Sequence, residues 1–251
     1  MPKTMLITGC STGIGASLVH SFQKRGLAVF ATARTLSTLS AFEELSNVHT
    51  FALDVTLESS VQECYDKVRV TSGVKLDYLV NNAGIGWDQP VLDYPIEEGE
   101  KIFETNFWGV LRMIQVFAPL MLESKGTIVN VTSVLAYVNM PFKTAVAMLS
   151  ETLRLEVAPF GVKVLAIVTG TVGTEFAVKT GDLASLPDSS LYEAIEADFK
   201  KFTFADDGRK KTSSDEFAED VVKDILGGAT VRVWRGASAL LGRIGAALFP
   251  Q

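Results

Sequence analysis

The chain has 251 residues, of which 47% are hydrophobic and 21% are charged, and its formal net charge is −6. This composition excludes a disordered chain and provides no basic footprint for nucleic acid. With two cysteines, Cys10 and Cys64, it also excludes a disulfide framework, and no Cys or His spacing is typical of a metal site. The first residues do not resemble a secretory signal, and no apolar run approaches the roughly 20 residues of a membrane span. We therefore expect a cytoplasmic protein without a metal ion.

Short runs rich in β-branched residues alternate along the chain with longer segments of helical periodicity. Strands are predicted over residues 5–7, 27–33, 48–53, 76–80, 127–131, 162–168 and 231–234. Helices are predicted over residues 14–24, 39–45, 57–70, 97–122, 142–157, 183–204 and 216–226. This alternation predicts an α/β fold, a Rossmann-type doubly wound parallel sheet of about seven strands with helices on both faces. We expect one domain over residues 1–251, with 175–215 as a substrate lid and 236–251 as a tail.

Glycines mark the turn between the first predicted strand and the first predicted helix. Such glycines permit a tight bend, close approach of the backbone to a pyrophosphate, and close packing of helix on strand. The N-terminus of the helix then presents free N–H groups and a positive dipole end to phosphate. The turn predicts a dinucleotide site; the alternative is a glycine-rich turn without a ligand. The predicted contact residues are Thr8, Gly9, Ser11, Gly13, Ile14 and Gly15.

Five motifs, in the same order, resemble those of the short-chain dehydrogenase/reductase family. The first is TGCSTGIG at 8–15, and the second is NNAG at 81–84, after the fourth strand. Asn106 and Ser133 match the family's structural and catalytic Asn and its substrate-orienting Ser. TGTVGT at 169–174 is similar to P-G-x-V-x-T, with Thr169 in place of Pro. Segments 150–162 and 233–244 also resemble fungal members similar to NADPH-dependent 1-acyldihydroxyacetone-phosphate reductase.

The resemblance implies an oxidoreductase that acts on the carbonyl or alcohol of a small hydrophobic metabolite or lipid. It implies that Ser133 hydrogen-bonds the substrate oxygen and that Thr174 fixes the nicotinamide carboxamide or a phosphate. It also implies a homodimer or tetramer formed by the two long helices. Further cofactor contacts implied by the resemblance are Asp54, Val55, Asn81, Asn82, Ala83, Gly84 and Val172.

Arg34, at the end of the second predicted strand, favours NADP(H) as the cofactor. An acidic residue at this position would bind the ribose of NAD, whereas an Arg accommodates a 2′-phosphate. The sequence here is Ala31-Thr32-Ala33-Arg34, without a carboxylate, and a guanidinium pairs bidentately with phosphate. The alternatives are a surface Arg at a strand end and, for Asp54, a turn residue that accepts hydrogen bonds from local backbone.

The Tyr-x-x-x-Lys pair that serves proton transfer in the family is absent, because no Tyr of this chain is followed four residues later by Lys. Counting back from Ser150 places Lys143 at the Lys position and Asn139 at the Tyr position, with about seven residues missing, near two helical turns. Alternatively, PFKTA resembles the stretch that precedes the Tyr, and Lys143 is then a coincidence. Tyr137, the phenol nearest Ser133, either reaches the site or lines the substrate pocket.

Three explanations of the missing pair stay open: a weak or inactive NADP-binding reductase, a non-redox cyclase or isomerase on the same fold, or loss of a small segment from the coding sequence. The apolar tail, residues 236–249, either contacts a lipid surface, such as a lipid droplet or the endoplasmic reticulum, or packs over the substrate mouth or a subunit partner.

Overall fold

The computed structural model describes residues 2–86, 89–137, 144–176, 186–187, 189–197 and 210–248. The strands are β1 (Thr4–Ile7), β2 (Ala28–Ala33), β3 (Val48–Ala52), β4 (Tyr78–Asn81), β5 (Thr127–Ser133), β6 (Lys163–Thr169), β7 (Val172–Gly173), β8 (Thr212–Ser213) and β9 (Val231–Arg235). The helices are α1 (Gly13–Gln23), α2 (Glu58–Ser72), α3 (Ile96–Phe103), α4 (Gly109–Ser124), α5 (Ala145–Val157), α6 (Ser214–Leu226) and α7 (Ala239–Leu248).

Seven of these strands form one parallel sheet in the order β3-β2-β1-β4-β5-β6-β9. The predicted doubly wound fold is thereby confirmed. The order reverses between β1 and β4, and in such sheets ligands bind outside the carboxyl ends of the strands at this reversal. The glycine turn after β1 lies at this point.

Two hydrophobic cores cover the two faces of the sheet. Successive residues of β1 alternate between them: Met5 and Ile7 pack with α1 and α6, whereas Leu6 packs with α2, α4 and α5. This alternation follows from the twofold periodicity of a strand. Because both faces are covered, the strands are apolar on both sides.

Hydrogen bonds and an ion pair add to the apolar contact between α1 and α6. Ser17 Oγ donates to Asp215 Oδ1 at 2.7 Å, and Ser21 Oγ donates to Glu219 Oε1 at 2.5 Å. Arg25 Nη2 pairs with Glu219 Oε2 at 2.6 Å. These contacts fix α1, the helix whose N-terminus faces the glycine turn.

The structure departs from the predicted elements in several places, among them helix α7, which lies in the predicted tail. The long helix predicted over 97–122 is α3 and α4 joined by a π-helical turn, Glu104–Trp108. The helix predicted over 39–45 is a 3₁₀ helix, Leu36–Phe42. The β7–β8 pair was not predicted. Much of the predicted lid at 175–215 lies outside the described residues. Those that are described hold a 3₁₀ turn, Glu193–Ile195, within the helix predicted over 183–204, and they also hold β8 and the first residues of α6.

Candidate active site

The glycine turn packs directly against the loop that follows β4. Gly9 has a φ of +73°, and a Cβ at this position would lie 2.8 Å from Ala83 Cα. At Gly15 a Cβ would collide with the carbonyl oxygen of Gly9 and lie 2.7 Å from Asn82 Nδ2. Both positions therefore require glycine for close approach of backbone, as the sequence predicts.

The N-terminus of α1 is open to an anion. Gly13 has a φ of +61°, and a Cβ there would lie 3.2 Å from the side chain of Thr174. Thr12, the N-cap residue, makes no side-chain hydrogen bond to the helix, and the first turn holds no acidic residue. Its first N–H groups are therefore neither capped by a side chain nor neutralised by a carboxylate, and Ser11 beside them is exposed.

Thr8 and Asn82 join the ends of β1 and β4. Thr8 Oγ1 accepts hydrogen bonds from the backbone N–H groups of Asn82 at 3.0 Å and Ala83 at 2.9 Å. In return, Asn82 Nδ2 donates to the carbonyl oxygens of Thr8 at 2.9 Å and Gly9 at 3.1 Å. The two motifs thus form a single rigid unit at the point where the strand order reverses.

The side chain of Asn106, in the π-helical turn, fixes the chain just beyond this unit. Asn106 Oδ1 accepts from the backbone N–H of Ile85 at 2.9 Å, and Nδ2 donates to the Ile85 carbonyl oxygen at 2.8 Å. A Cβ at Gly84 would lie 3.3 Å from Asn106 Oδ1. Both polar atoms of the side chain are therefore used to position the loop, and π-helical turns often occur at functional sites.

The ends of β2 and β3 carry the residues expected near the adenosine. Arg34 is exposed and makes no ion pair with any residue in the described part of the chain. Asp54 Oδ1 accepts from the backbone N–H of Thr56 at 2.9 Å and from its hydroxyl at 2.7 Å. Val55 is buried, and a Cβ at Gly109 would lie 2.8 Å from its Cγ2. Asp54 thus makes the local turn contacts expected of the alternative interpretation.

Ser133 ends β5 and keeps a free hydrogen-bond donor. Its Oγ accepts from the backbone N–H of Leu135 at 3.1 Å, and none of the described residues accepts from its hydroxyl. One of the two oxygen lone pairs is thereby occupied, and the hydroxyl proton remains available for an incoming oxygen.

Asn81 directs its side chain into the core. Asn81 Nδ2 donates to Asn130 Oδ1 at 2.8 Å, and Asn130 Nδ2 donates to Ser150 Oγ at 2.9 Å. Ser150 Oγ in turn donates to the Val146 carbonyl oxygen at 2.7 Å. This buried chain ties β4, β5 and α5 together. Sequence reasoning did not identify Asn130 or the structural role of Ser150, since their partners are distant in sequence.

Tyr137 packs on β9. Its ring centroid lies 5.1 Å from that of Trp234, and the Arg232 guanidinium lies 4.8 Å from it on the ring face. Burial raises the pKa of Tyr137, and the nearby Arg232 opposes the shift. Arg232 also pairs with Glu151 of α5 at 2.7 Å. Lys143, the other candidate for proton transfer, lies outside the described residues.

Three further observations bear on the candidate residues. Val172 and Thr174 flank Gly173 after β6, and Val172 packs against the core that contains α1.

Burial raises the pKa of the Cys10 thiol to about 12, so this thiol is a poor nucleophile. Within the described ranges, no cluster of three His, Cys, Asp or Glu side chains is suited to a metal ion.

Sequence and structure comparisons identify relatives across nearly the whole chain. Short-chain dehydrogenase ptmH of Penicillium ochrochloron is 42% identical, and the match covers 99% of this chain and 94% of that protein. NADPH-dependent 1-acyldihydroxyacetone phosphate reductase of Schizosaccharomyces pombe is 35% identical, with 98% and 90% covered. The match to the Penicillium protein spans 258 positions. Since this chain has 251 residues, at least seven positions (258 minus 251) have no counterpart in it.

Solved structures and a family model agree with these relatives. A short-chain dehydrogenase from Burkholderia cenocepacia in complex with NADP superposes with a TM-score of 0.77 at 26% identity, covering 98% of this chain and 93% of that one. A short-chain dehydrogenase from Streptomyces avermitilis gives a TM-score of 0.84 at 24% identity, and the match covers 98% of this chain and 93% of that one. At this identity the match supports the fold alone. The family model for short chain dehydrogenases matches residues 3–183. The chain belongs to the short-chain dehydrogenase/reductase family.

Proposed function

We propose that the chain is an NADP(H)-dependent oxidoreductase that acts slowly on the carbonyl or alcohol of a small hydrophobic metabolite or lipid. The observation that carries the proposal is the uncapped N-terminus of α1 behind the glycine turn, with exposed Arg34 at the end of β2. Turn and helix suit a pyrophosphate, and Arg34 suits a 2′-phosphate. When bound, the cofactor would supply or accept the hydride.

The other predicted residues would contact the cofactor on either side of the glycine turn. Asp54 and Val55 would lie beside the adenine, and Asn82, Ala83 and Gly84 would follow the ribose towards the nicotinamide. Thr174 would contact a phosphate, because it adjoins Gly13 at the start of α1. Val172 and Asn81 would act through packing, since the Asn81 side chain is occupied by Asn130.

Ser133 would donate its free hydroxyl proton in a hydrogen bond to the substrate oxygen and so orient it. Asn106 would act as a positioning residue, because both its polar atoms hold Ile85. No phenol with a Lys one helical turn later is present in the sequence, so proton transfer would rely on water or on Tyr137 or Lys143. A positioned general acid contributes about 10²–10⁴-fold, and turnover would be slow by this factor.

The missing pair also favours a second candidate from another functional class. An NADP-binding protein without redox turnover would retain the glycine turn and Arg34 and would not require Tyr-x-x-x-Lys. A non-redox cyclase or isomerase that uses the pocket as a template would share these features. The two differ from the slow reductase in one measurable quantity, the oxidation of NADPH in the presence of a ketone.

Subunit contact and lipid contact form a separate part of the proposal. Trp108, Met148 and Leu155, beside and on the long helices, are exposed apolar side chains suited to a homodimer or tetramer. On α7, Leu240, Leu241 and Ile244 are exposed in the same way, which would suit a lipid droplet or endoplasmic reticulum surface. The S. pombe relative's name, which includes an acylated phosphate ester, supports a lipid-like substrate. No helix of the described segments is long and apolar enough to cross a membrane.

The test is a titration of the purified chain with NADPH and with NADH. The unmodified chain should bind NADPH more tightly, and Arg34→Ala should weaken NADPH binding by about 1.5–3 kcal/mol while leaving NADH binding nearly unchanged. Arg69→Ala, which removes an exposed arginine of α2, is the matched control and should change neither affinity. Equal affinity of the unmodified chain for both cofactors would contradict the NADP(H) preference.

A further inference from the structure

Arg112, near the start of α4, joins two segments that are distant in sequence. Its Nη1 donates to the carbonyl oxygen of Val55 at 2.5 Å, and its Nη2 pairs with Glu104 Oε1 of the π-helical turn at 2.8 Å. The guanidinium is largely withdrawn from water, since 22% of the side chain is exposed. A charged donor in such a place requires well-placed acceptors, because an unpaired one is costly. Arg112 therefore ties the segment after β3 to the π-helical turn.

Helix α4 also holds Val55 by its side chain. A Cβ at Gly109 would lie 2.8 Å from Val55 Cγ2, so the backbone of α4 packs directly on this side chain. Gly109 and Arg112 are three positions apart in the helix, and residues at this spacing lie on one face. One face of α4 thus fixes both the side chain and the carbonyl oxygen of Val55.

Two polar groups of Asp54 and Val55 remain for a ligand. The local turn uses Asp54 Oδ1, which accepts from Thr56, and the Asp54 N–H donates to Ser60 Oγ at 3.0 Å. In the described part of the chain, no group donates to Asp54 Oδ2, and none accepts from the Val55 N–H. The segment thus offers an acceptor and a donor on adjacent residues. Under the proposed function it lies on the adenosine side of the glycine turn.

Adenine carries the complementary pair of groups. Its 6-amino group donates a hydrogen bond and its N1 accepts one, whereas hypoxanthine has an accepting oxygen at C6 and a donating N1–H. An ionised carboxylate only accepts, and a backbone N–H only donates. The Asp54 carboxylate and the Val55 N–H therefore fit adenine and oppose hypoxanthine, provided that the two groups are held in place.

We propose that Arg112 is a positioning residue for adenine recognition in NADP(H). Its hydrogen bond to the Val55 carbonyl oxygen holds the peptide segment whose N–H and neighbouring Asp54 carboxylate read the base. This inference rests on the proposed function and deepens it, because Arg112 acts through Val55 and is not itself a cofactor contact. Glu104 supports Arg112 from the same π-helical turn that carries Asn106, so one turn holds the loops on both sides of the glycine turn.

The experiment compares two nucleotides that differ only in the base. One is NADPH, and the other is its analogue with hypoxanthine in place of adenine; both are titrated by nicotinamide fluorescence without a substrate. The unmodified chain should bind NADPH about 10-fold more tightly than the analogue. Arg112→Met, which removes both hydrogen bonds, should weaken NADPH binding about 3- to 10-fold and change binding of the analogue less than about 2-fold. Arg112→Lys, which keeps one charged donor, should give an intermediate preference.

Two further variants complete the experiment. Glu104→Ala removes the support of Arg112 at a partly exposed position and should lower the preference for NADPH in the same direction, by less than Arg112→Met does. Arg154 of α5 is the matched control, because it is also partly exposed and pairs with a glutamate, Glu151, at 3.4 Å. Arg154→Met should leave the preference for NADPH unchanged. Melting temperatures of the ligand-free variants show which of them are folded.

An unchanged preference for NADPH in folded Arg112→Met would overturn the inference, and so would an equal loss of both nucleotides, which would indicate a structural role alone. If Arg112→Met does not fold, an unchanged preference in Glu104→Ala has the same meaning. An equal fall in preference in Arg154→Met, or equal binding of the two nucleotides by the unmodified chain, would also reject it. The proposed function fails separately if the unmodified, folded chain binds neither nucleotide.

Discussion

Asn106 pairs with both backbone polar groups of Ile85, accepting from its N–H at 2.9 Å and donating to its carbonyl oxygen at 2.8 Å. The two residues are 21 positions apart, and one amide side chain closes the loop that follows β4. The same loop packs on the glycine turn through Ala83. A change at Asn106 is therefore expected to affect both folding and cofactor binding.

The first prediction is that Asn106→Leu lowers the free energy of unfolding by about 1–3 kcal/mol, because two hydrogen bonds to the backbone are lost. NADPH affinity should fall as well. Asn106→Asp keeps an acceptor for the Ile85 N–H but sets a carboxylate oxygen against the Ile85 carbonyl oxygen, so it should lose as much. Urea unfolding and NADPH titration measure the two effects. Gln115→Leu, at an exposed position of α4, controls for the added apolar side chain, and an equal effect there would contradict the prediction.

The second prediction separates backbone strain from contact at the glycine turn. Gly9 and Gly26 have similar φ values, +73° and +76°, but a Cβ at Gly26 meets nothing within 4 Å, whereas at Gly9 it meets Ala83 Cα at 2.8 Å. Gly26→Ala should cost about 1 kcal/mol in unfolding free energy, from the left-handed conformation alone. Gly9→Ala should cost more and should weaken NADPH binding. Equal losses in the two variants would show that the contact with Ala83 is unimportant.

The third prediction concerns turnover. The unmodified chain should bind NADPH but reduce ketones at least about 100-fold more slowly than relatives with the complete motif, since a positioned acid is missing. A seven-residue segment with Tyr and Lys four apart, inserted between Ala145 and Val146, should raise kcat with little change in NADPH affinity. The same insertion with Phe in place of Tyr is the control and should not raise it. Stopped-flow measurement of NADPH oxidation gives both quantities.

The fourth prediction tests whether Tyr137 replaces the missing acid. Tyr137→Phe keeps the ring that packs on Trp234 and Arg232, and it should leave the residual ketone reduction unchanged. Tyr137→Ala should lower the unfolding free energy by about 1–3 kcal/mol through the loss of aromatic and cation–π contacts. A large fall in kcat for Tyr137→Phe at unchanged stability would instead identify Tyr137 as the acid.

The fifth prediction is a pH dependence of the contact between α1 and α6. Hydrogen bonds from Arg25 and then Ser21 lower the pKa of Glu219 from 4.5 to about 2. A carboxyl group whose pKa is lowered by folding stabilises the fold at any pH above its pKa in the unfolded chain. This contribution is lost as the pH falls from about 5 towards 2. Glu219→Gln should therefore lower the free energy of unfolding at pH 7. On acidification the variant should lose less of this free energy than the unmodified chain does. Urea unfolding at pH 7, 5 and 4 measures this difference.

Salt and a neighbouring residue control this last measurement. The Arg25–Glu219 pair is partly exposed, so 1 M salt should weaken its effect. Asp220, the next residue of α6, contacts Lys223 of its own helix at 3.3 Å. Asp220→Asn should change the pH dependence of stability between pH 7 and 4 less than Glu219→Gln does, because the Asp220–Lys223 pair joins no two helices. An equal change in the two variants would argue against the Glu219 contact.

The fold followed from the sequence because βαβ units leave little freedom in topology: once strands and helices alternate, right-handed crossovers order the sheet. The family followed from the resemblance of five motifs, in the same order along the chain. The structure and the comparisons confirm both. The two-residue strands β7 and β8 were missed because so short a pair shows no alternation. The π-helical turn at Glu104–Trp108 was missed because its apolar periodicity resembles that of an ordinary helix.

The contacts within the candidate site were less accessible to sequence reasoning. A motif identifies Asn106 and Asn81 as residues of interest, but not that one holds Ile85 and the other holds Asn130. Such pairings depend on side-chain direction at the ends of strands, which tertiary packing decides. The cofactor roles of the predicted residues, the NADP(H) preference and the role of Lys143 remain predictions.

The hydrogen-bond chain from Asn81 through Asn130 to Ser150 fixes α5 at a point after the place where the catalytic pair would be inserted. Seven residues make nearly two helical turns, so their gain or loss there rotates the rest of the helix by only about 20°. A single small insertion or deletion in the gene can therefore remove or restore the proton-transfer residues without disturbing this anchor. Selection for a folded, protease-resistant protein alone would not distinguish the chain with this segment from the chain without it. Catalysis and nucleotide binding can therefore evolve separately on this fold.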